Sequence, residues 1–379
     1  MDMRNILRIT AAMALTAVMS LTAAGSAQAS TPKWLSISAG GEHTCAIRTD
    51  HALFCWGENS DGQVGDDTTT DRTTPTRIGT STNWTSVASG DSHTCARHNS
   101  GSLYCWGDNE FGQLGIGVIT HRYKPTKVGA STSWTAVTAG DNHTCARHSS
   151  GSLYCWGSNQ GGMLGDGTTT DRTTPKKVGT STNWTAVTTG GRHTCARHSS
   201  GSLYCWGLNT YGQLGDGTTT TRTTPKKVGT STSWSSVDAS IYFTCARHNS
   251  GSVYCWGHNG NGQLGDGTTT NRHAPKKVGT STNWTAIATG GYHSCARHTT
   301  GSLYCWGFNG SGRLGDGTTS QRLTPTKVGT STSWTNVTPG VAHTCARHTT
   351  GYAYCWGSNT SGRLGDGTTT DRLTPKKIN

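Results

Sequence analysis

The chain has little of what builds an ordinary globular core. Only 31% of its 379 residues are hydrophobic and 14% are charged. No stretch shows helical periodicity, which argues against a helical or α/β fold. Beyond the N-terminus no apolar run is long enough to span a bilayer as a helix. Neither C-x-x-C nor H-x-x-x-H occurs, which removes the usual zinc frameworks. No nucleophile–base–orienter set, phosphate loop or metal cluster stands out. The chain therefore reads as a non-enzyme without catalytic residues, metal or cofactor. Low aliphatic content can mark disorder. Here 14 Trp, 11 Tyr and 14 Cys argue for order, because disordered chains are poor in aromatics.

The first 29 residues read as a secretory signal peptide, with Arg4 and Arg8 before an apolar run from Ile9 to Gly25 and Ala27-Gln28-Ala29 as the cleavage site. No cysteine lies near the cut, so a lipid anchor is not expected. Residues 30–379 form the mature protein, expected to be a secreted or cell-surface monomer with no membrane span. The net charge of +12 reads as a solubility feature, and no nucleic-acid partner is expected.

What is abundant is repetition. Trp34, Trp84, Trp134, Trp184, Trp234, Trp284 and Trp334 lie fifty residues apart, and so do Trp56, Trp106, Trp156, Trp206, Trp256, Trp306 and Trp356. In the unit around 174–207, strand-type residues separated by Gly, Ser, Thr and Asn turns give four strands: Pro175–Val178, Trp184–Val187, His193–His198 and Ser202–Trp206. Four strands per unit, seven times, predict one all-β seven-bladed propeller with four-stranded antiparallel blades. The first unit lacks its P-K-K-V strand and the last ends on one, Thr374–Ile378. The expectation is that this C-terminal strand pairs into the first blade and closes the ring.

The pattern W-x-x-V…G-x-x-H-T…G-x-x-Y-x-W-G-x-N-x-x-G-Q-L-G-x-G resembles the repeats of the regulator of chromosome condensation superfamily. It covers all seven units, for instance at Gly140, His143, Trp156-Gly157, Asn159 and Leu164-Gly165. The resemblance implies a seven-bladed propeller and a protein-binding role. Relatives act in guanine-nucleotide exchange on the GTPase Ran, or, when secreted by bacteria, as β-lactamase inhibitors. Secretion and the cysteines depart from the nuclear members and argue against exchange.

All fourteen cysteines come in pairs ten apart: Cys45 with Cys55, Cys95 with Cys105, Cys145 with Cys155, Cys195 with Cys205, Cys245 with Cys255, Cys295 with Cys305 and Cys345 with Cys355. With a three-residue loop at Asn99-Ser100-Gly101, Cys95 faces Cys105 at a non-hydrogen-bonded position of an antiparallel hairpin. There the Cα atoms lie about 4.5 Å apart, near disulfide reach. Secretion supplies the oxidant, so seven intra-blade disulfides are expected. His93, His143, His193, His293 and His343 are expected to hold the adjoining turns by hydrogen bonds.

An up-and-down meander sends the G-T-S-T loop and the S-S-G hairpin to a lower face. The G-x-x-H and W-G-x-N-x-x-G loops go to an upper one. The lower loops barely differ between units, whereas the upper loops differ widely. The candidate binding rim is Asp91, Asp108, Phe111, Arg192, Leu208, Tyr211, Tyr242, Phe243, His258, Tyr292 and Phe308, since aromatic anchors on rigidly held loops suit binding. Gly-Asp-Gly-Thr-Thr-Thr-Asp (165–171) reads as a polar turn rather than a calcium loop. The arginines at Arg72, Arg122 and every fifty residues onward could meet acidic ligands or pair with Asp71, Asp171 and Asp371. The function expected is binding of a macromolecular partner, a protein in preference to a glycan, with a surface structural role as a third reading.

Overall fold

The computed structural model describes residues 33–378. Residues 1–29, expected to be a signal peptide, and Asn379 lie outside the described residues. Seven four-stranded antiparallel sheets follow one another along the chain. In the first, Trp34–Ala39 is innermost, followed outward by His43–Arg48, Leu53–Gly57 and Arg72–Arg77. The same meander recurs every fifty residues, ending with Trp334–Pro339, His343–His348, Ala353–Gly357 and Arg372–Lys377. Among the described residues no helix is long and apolar enough to cross a membrane.

The hairpin register is as the sequence requires. Cys95 faces Cys105 between Ala96–Tyr104 and Thr94–Trp106 pairs. Every expected disulfide forms within its own blade. Cys45 is bonded to Cys55, Cys95 to Cys105, Cys145 to Cys155 and Cys195 to Cys205. Cys245 is bonded to Cys255, Cys295 to Cys305 and Cys345 to Cys355. The Cα atoms of each pair lie 4.1 Å apart, as a non-hydrogen-bonded position demands. Gly101 turns the loop at φ +78°, and a side chain there would collide with the Thr132 carbonyl.

The outer strand differs from expectation. It begins at Arg172, three residues before Pro175, and pairs with Leu153–Gly157 ahead of it in the chain, not with the Trp184 strand behind it. Pro175 is tolerated because this is an edge strand, where a missing N–H leaves no ladder bond unmade. Exposed Lys176 and Lys177 further blunt that edge. Each blade is therefore a contiguous stretch running from Trp to the Lys, or in the first blade Arg77, that ends its outer strand.

It follows that the C-terminal strand does not pair with the first blade. Residues 372–377 pair with Ala353–Gly357 of their own blade, Tyr354 facing Lys377. The two ends of the chain meet by other means. Val341 N donates to Gly40 O at 3.1 Å, and Trp56 Nε1 donates to Arg363 O at 2.9 Å. Equivalent bonds join neighbouring blades elsewhere, such as Asp91 N to Gly140 O and Trp106 Nε1 to Gln63 O. Ile378 packs with Trp34, Ile37 and Trp56 of the first blade, so the tail contributes a side chain there and not its backbone.

The core lies between blades. Ile47, Leu53, Val64, Ile78 and the Cys45–Cys55 bridge of the first blade pack on Trp84, Ala96 and Trp106 of the second. Gly65, at φ +89°, lets the Trp106 indole lie directly against the backbone; a Cβ would strike its ring nitrogen.

The repeated histidines fasten blade to blade rather than their own turns. His43 Nε2 lies 2.7 Å from Thr94 Oγ1, His93 2.9 Å from Thr144, and His343 2.8 Å from Thr44. Each threonine gives its single hydroxyl proton to a carbonyl behind it, as Thr94 does to Gln63 O at 2.8 Å. The histidine must then donate from Nε2, which fixes the neutral tautomer. Burial holds these rings far below the usual histidine range, to about 4 at His43 and about 3 at His93, His143, His193 and His343. The turn itself is held by backbone, Gly90 N to His93 O at 2.8 Å.

Candidate binding face

The upper loops rest on a rigid frame. In each blade one buried asparagine organises the fourteen residues after W-G. Asn59 Oδ1 accepts from Val64 N at 2.9 Å, and its Nδ2 donates to Thr68 O and Thr70 O. Arg72 pairs with Asp66, and the same pairing recurs at Arg172–Asp166, Arg222–Asp216 and onward. The arginines thus reach the aspartate six residues back, and Asp71 instead accepts from Asn59 N at 2.9 Å. Where Ile116 replaces that aspartate, Arg122 turns to the His121 carbonyl. The G-D-G-T-T-T-D segment is accordingly a hydrogen-bonded turn. Among the described residues no three His, Cys, Asp or Glu side chains converge on a metal position.

The G-x-x-H and W-G-x-N loops of a blade lie side by side, joined by Glu58 N to Glu42 O and Leu208 N to Arg192 O. This places most of the expected rim on one face. Arg192 and Asp91 are exposed, and Phe111 and Phe308 each leave 38% of their surface free. Phe111 and Arg192 border one cleft of about 480 Å³, floored by Asn142, Gly161 and Met163. Tyr211, Tyr242 and His258 form a second group, with ring centroids 5.4 Å apart for the two tyrosines and 4.9 Å for Tyr211 and His258. Tyr292 and Leu208 are half-buried in the same set of loops. Phe243 does not belong to the rim. It is fully buried in the core between the fifth and sixth blades, because it fills the space that histidine fills elsewhere. Asp108 is largely buried and engaged, accepting from Gln113 Nε2 at 2.6 Å and Glu110 N at 3.0 Å.

That last contact exposes a pairing the single-position reading missed. The residue after W-G meets the residue five further on. Glu58 and Asp108 accept from Gln63 and Gln113, and His258 meets Gln263. Arg313 stacks its guanidinium 4.6 Å from the Phe308 ring and donates to Val341 O at 2.8 Å. Arg363, 2% exposed, pairs with Glu42 across the junction of last and first blades. Burial lowers both arginines to about 10, so both stay charged at neutral pH. Leu208 offers no acceptor, and Gln213 Nε2 is left buried without a partner. Replacing Leu208 by Glu should satisfy that amide and stabilise the protein by about 1 kcal/mol. A rise in the urea midpoint is expected; a fall would show that the leucine contacts outweigh the amide.

The upper face is divided by charge. In these two loop windows the acids are Glu42, Glu58, Asp61, Asp91, Asp108, Glu110 and Asp141, all in the first three blades. The rim aromatics other than Phe111 lie in the fourth to sixth. Crowding of the acids shows in their protonation. Withdrawal from solvent, with repulsion from Asp91 and partial relief from Arg192, raises Asp141 to about 7. Asp61 and Asp91 are also raised, first by partial withdrawal of their carboxyl groups from solvent among these neighbours and then by Asp108.

The RCC1-like domain model matches residues 22–346, and RCC1 repeat models match 336–363 and 350–379. The chain belongs to the RCC1-like domain family. Among solved structures, this RCC1-like propeller is similar to human WBSCR16 at 20% identity over 86% of this chain and 94% of that one, TM-score 0.78. It is similar to Prp20p of Saccharomyces cerevisiae at 23% identity over 92% and 87%, TM-score 0.78. It also resembles the ACR4 receptor-kinase ectodomain of Arabidopsis thaliana at 20% identity over 92% and 99%, TM-score 0.53. These likenesses establish the fold. No curated protein matches the chain significantly.

Proposed function

We propose that this RCC1-like propeller is a secreted, non-catalytic binding protein that holds one asymmetric protein partner on its upper face. The observation that carries this reading is the division of that face. Acids are confined to three adjacent blades, where Phe111 is the single rim aromatic, and the other rim aromatics lie in the next three, on loops that buried asparagines pin or that bond directly to those loops. A partner engaging both arcs would set a basic patch against Asp91 and Glu110 and an apolar anchor against Tyr211 and Tyr242. Charge complementarity of this kind selects partners and sets orientation, and buried aromatics carry most of the binding energy. A simple sugar would instead call for the same site in every blade. Seven disulfides support an oxidising, extracellular setting. Protein partners also have precedent in the fold, since yeast Prp20p is described as binding Gsp1p and histones, and as bound by Kap60.

The test is capture of a partner from the producing organism's culture supernatant by the mature protein. Replacing Phe111, Tyr211 and Tyr242 by Ala should weaken capture at least a hundredfold, because each is a rim aromatic of the hot-spot type, while the melting temperature stays unchanged. Undiminished capture by the folded variant would refute the assignment.

A further inference from the structure

The lower face carries a second, repeated feature that does not depend on the reading above. In each of the second to seventh blades a Trp, a His and a Tyr meet edge to face. In the fifth blade Trp234 lies 5.6 Å from His248 and 5.4 Å from Tyr254. In the sixth, Trp284 lies 5.6 Å from His298 and 5.4 Å from Tyr304. The first blade departs, with Arg48 stacked over Phe54.

These triads wall open clefts. In the fifth blade the cleft is about 240 Å³, between the Gly229-Thr230-Ser231 loop and the face made by Trp234, His248, Tyr254 and Pro275. The sixth blade has its counterpart, about 250 Å³, with every lining residue shifted by fifty. The lining combines flat aromatic surface with unspent polar groups. Trp234 Nε1 is buried without an acceptor, as is the matching nitrogen in every blade. His248 Nδ1 accepts from Ser250 N at 3.2 Å, which makes Nε2–H its donor; among the described residues no acceptor meets it, whereas in the second and seventh blades Ser81 and Ser331 Oγ lie 3.4 and 3.3 Å from the matching nitrogen. The Thr230 and Ser231 hydroxyls complete the set. Aromatic faces beside hydrogen-bonding groups suit a ring that is apolar on its faces and polar at its edge.

Charge narrows the ligand further. Exposed Lys226 lies beside the residues lining the fifth-blade cleft, and exposed Lys276 holds the same place at the sixth; most other blades carry one or two lysines at the corresponding positions. That disfavours a cation in the aromatic cage and favours an anion along the rim. Sequence points the same way. The loops that form these clefts are nearly identical between blades while the upper loops have diverged, as a ligand with a repeating unit would require.

We propose that the lower clefts of the second to seventh blades each receive one pyranose ring of an anionic polysaccharide, with the flanking lysines meeting its acidic groups. The test is calorimetric titration of the mature protein with polygalacturonate and with neutral dextran. Polygalacturonate should bind at several equivalent sites, and dextran at least tenfold more weakly. Replacing Tyr204, Tyr254 and Tyr304 by Ala should cost at least tenfold in affinity. Filling the clefts from exposed loop positions by Thr180→Trp, Thr230→Trp and Thr280→Trp should do the same without touching the core. The Phe111, Tyr211 and Tyr242 alanine variant should bind polygalacturonate like the parent, which separates this site from the upper face. Absence of polygalacturonate binding would overturn the proposal. So would binding that both cleft variants retain and only Lys226→Gln with Lys276→Gln removes, since that would be surface charge alone.

Discussion

Acidification from pH 7 to pH 5 should destabilise the propeller by several kcal/mol, through six histidines that cannot take up a proton while folded. His43, His93, His143, His193, His293 and His343 are buried as neutral donors to the threonine of the next blade. Burial lowers all six, four of them to about 3. A histidine in the unfolded chain titrates near 6.5. The unfolded state therefore binds more protons below that pH, and stability must fall as pH falls. The loss begins near pH 6.5 and continues down to the folded values near 3 to 4. At pH 5 each ring accounts for up to about 2 kcal/mol, and six for up to about 12.

Asp141 works in the opposite sense. Raised to about 7, it favours the folded state as it protonates, and offsets roughly one histidine. The arginine-paired aspartates, held below the usual carboxylate range, lose their contribution only below about pH 4. Chemical denaturation at pH 7, 6 and 5 should thus show a steep fall attributable to histidine. His143→Phe, copying the natural fifth blade, should reduce the proton uptake on unfolding at pH 5 by one. A pH-independent midpoint would contradict this assignment of the histidines.

Removal of residues 374–379 should have the second large effect. The cut takes away most of the outer strand of the last blade and with it Ile378, which is fully buried among Trp34, Ile37 and Trp56. Burial of one such side chain is worth about 1.5–3 kcal/mol. The lost ladder bonds and the exposed edge of Ala353–Gly357 add to that. A loss of about 5 kcal/mol in all is expected, seen as a fall in melting temperature well beyond terminal fraying. An unchanged melting temperature would show that the tail plays no part at the junction of first and last blades.

Much of this architecture is legible in the spacing of a few residues. Two tryptophan series of period fifty specify the blades. Cysteines ten apart around an N-S-G loop specify the hairpin register, since only one pairing faces them across two strands. The same spacing carries from Cys95 and Cys105 to all the other pairs, Cys345 and Cys355 included. The frame of the blade is less legible. A period has no natural beginning, and P-K-K-V lies as near the following Trp as the preceding Gly. What decides is the long W-G-x-N loop, which Asn159 folds back so that Gly157 faces Arg172. The inter-blade role of the histidines is hidden for a related reason. Their partner is the threonine fifty-one residues on, which no reading of one unit reveals. Phe243 is misplaced by sequence variation because its neighbours Ile241 and Tyr242 belong to the variable loop, while Phe243 itself begins the next strand.

At the candidate site, sequence variation singles out loops that share one face but not the pairs within them. Arg313 and Arg363 stand where other blades have Gln or Met, and their roles depend on Phe308 and on Glu42. The confinement of the upper-loop acids to three blades is written in the sequence. It becomes meaningful only once the blades are arranged in order and the acids share one arc.

The most direct test of the proposed function is hydrogen–deuterium exchange on the complex with the captured protein partner. Protection is predicted in both arcs of the upper face, at residues 91–92 and 141–142 and at 208–211 and 241–242, with the lower loops at 229–231 and 249–251 unchanged. Protection of the lower loops alone would contradict the account.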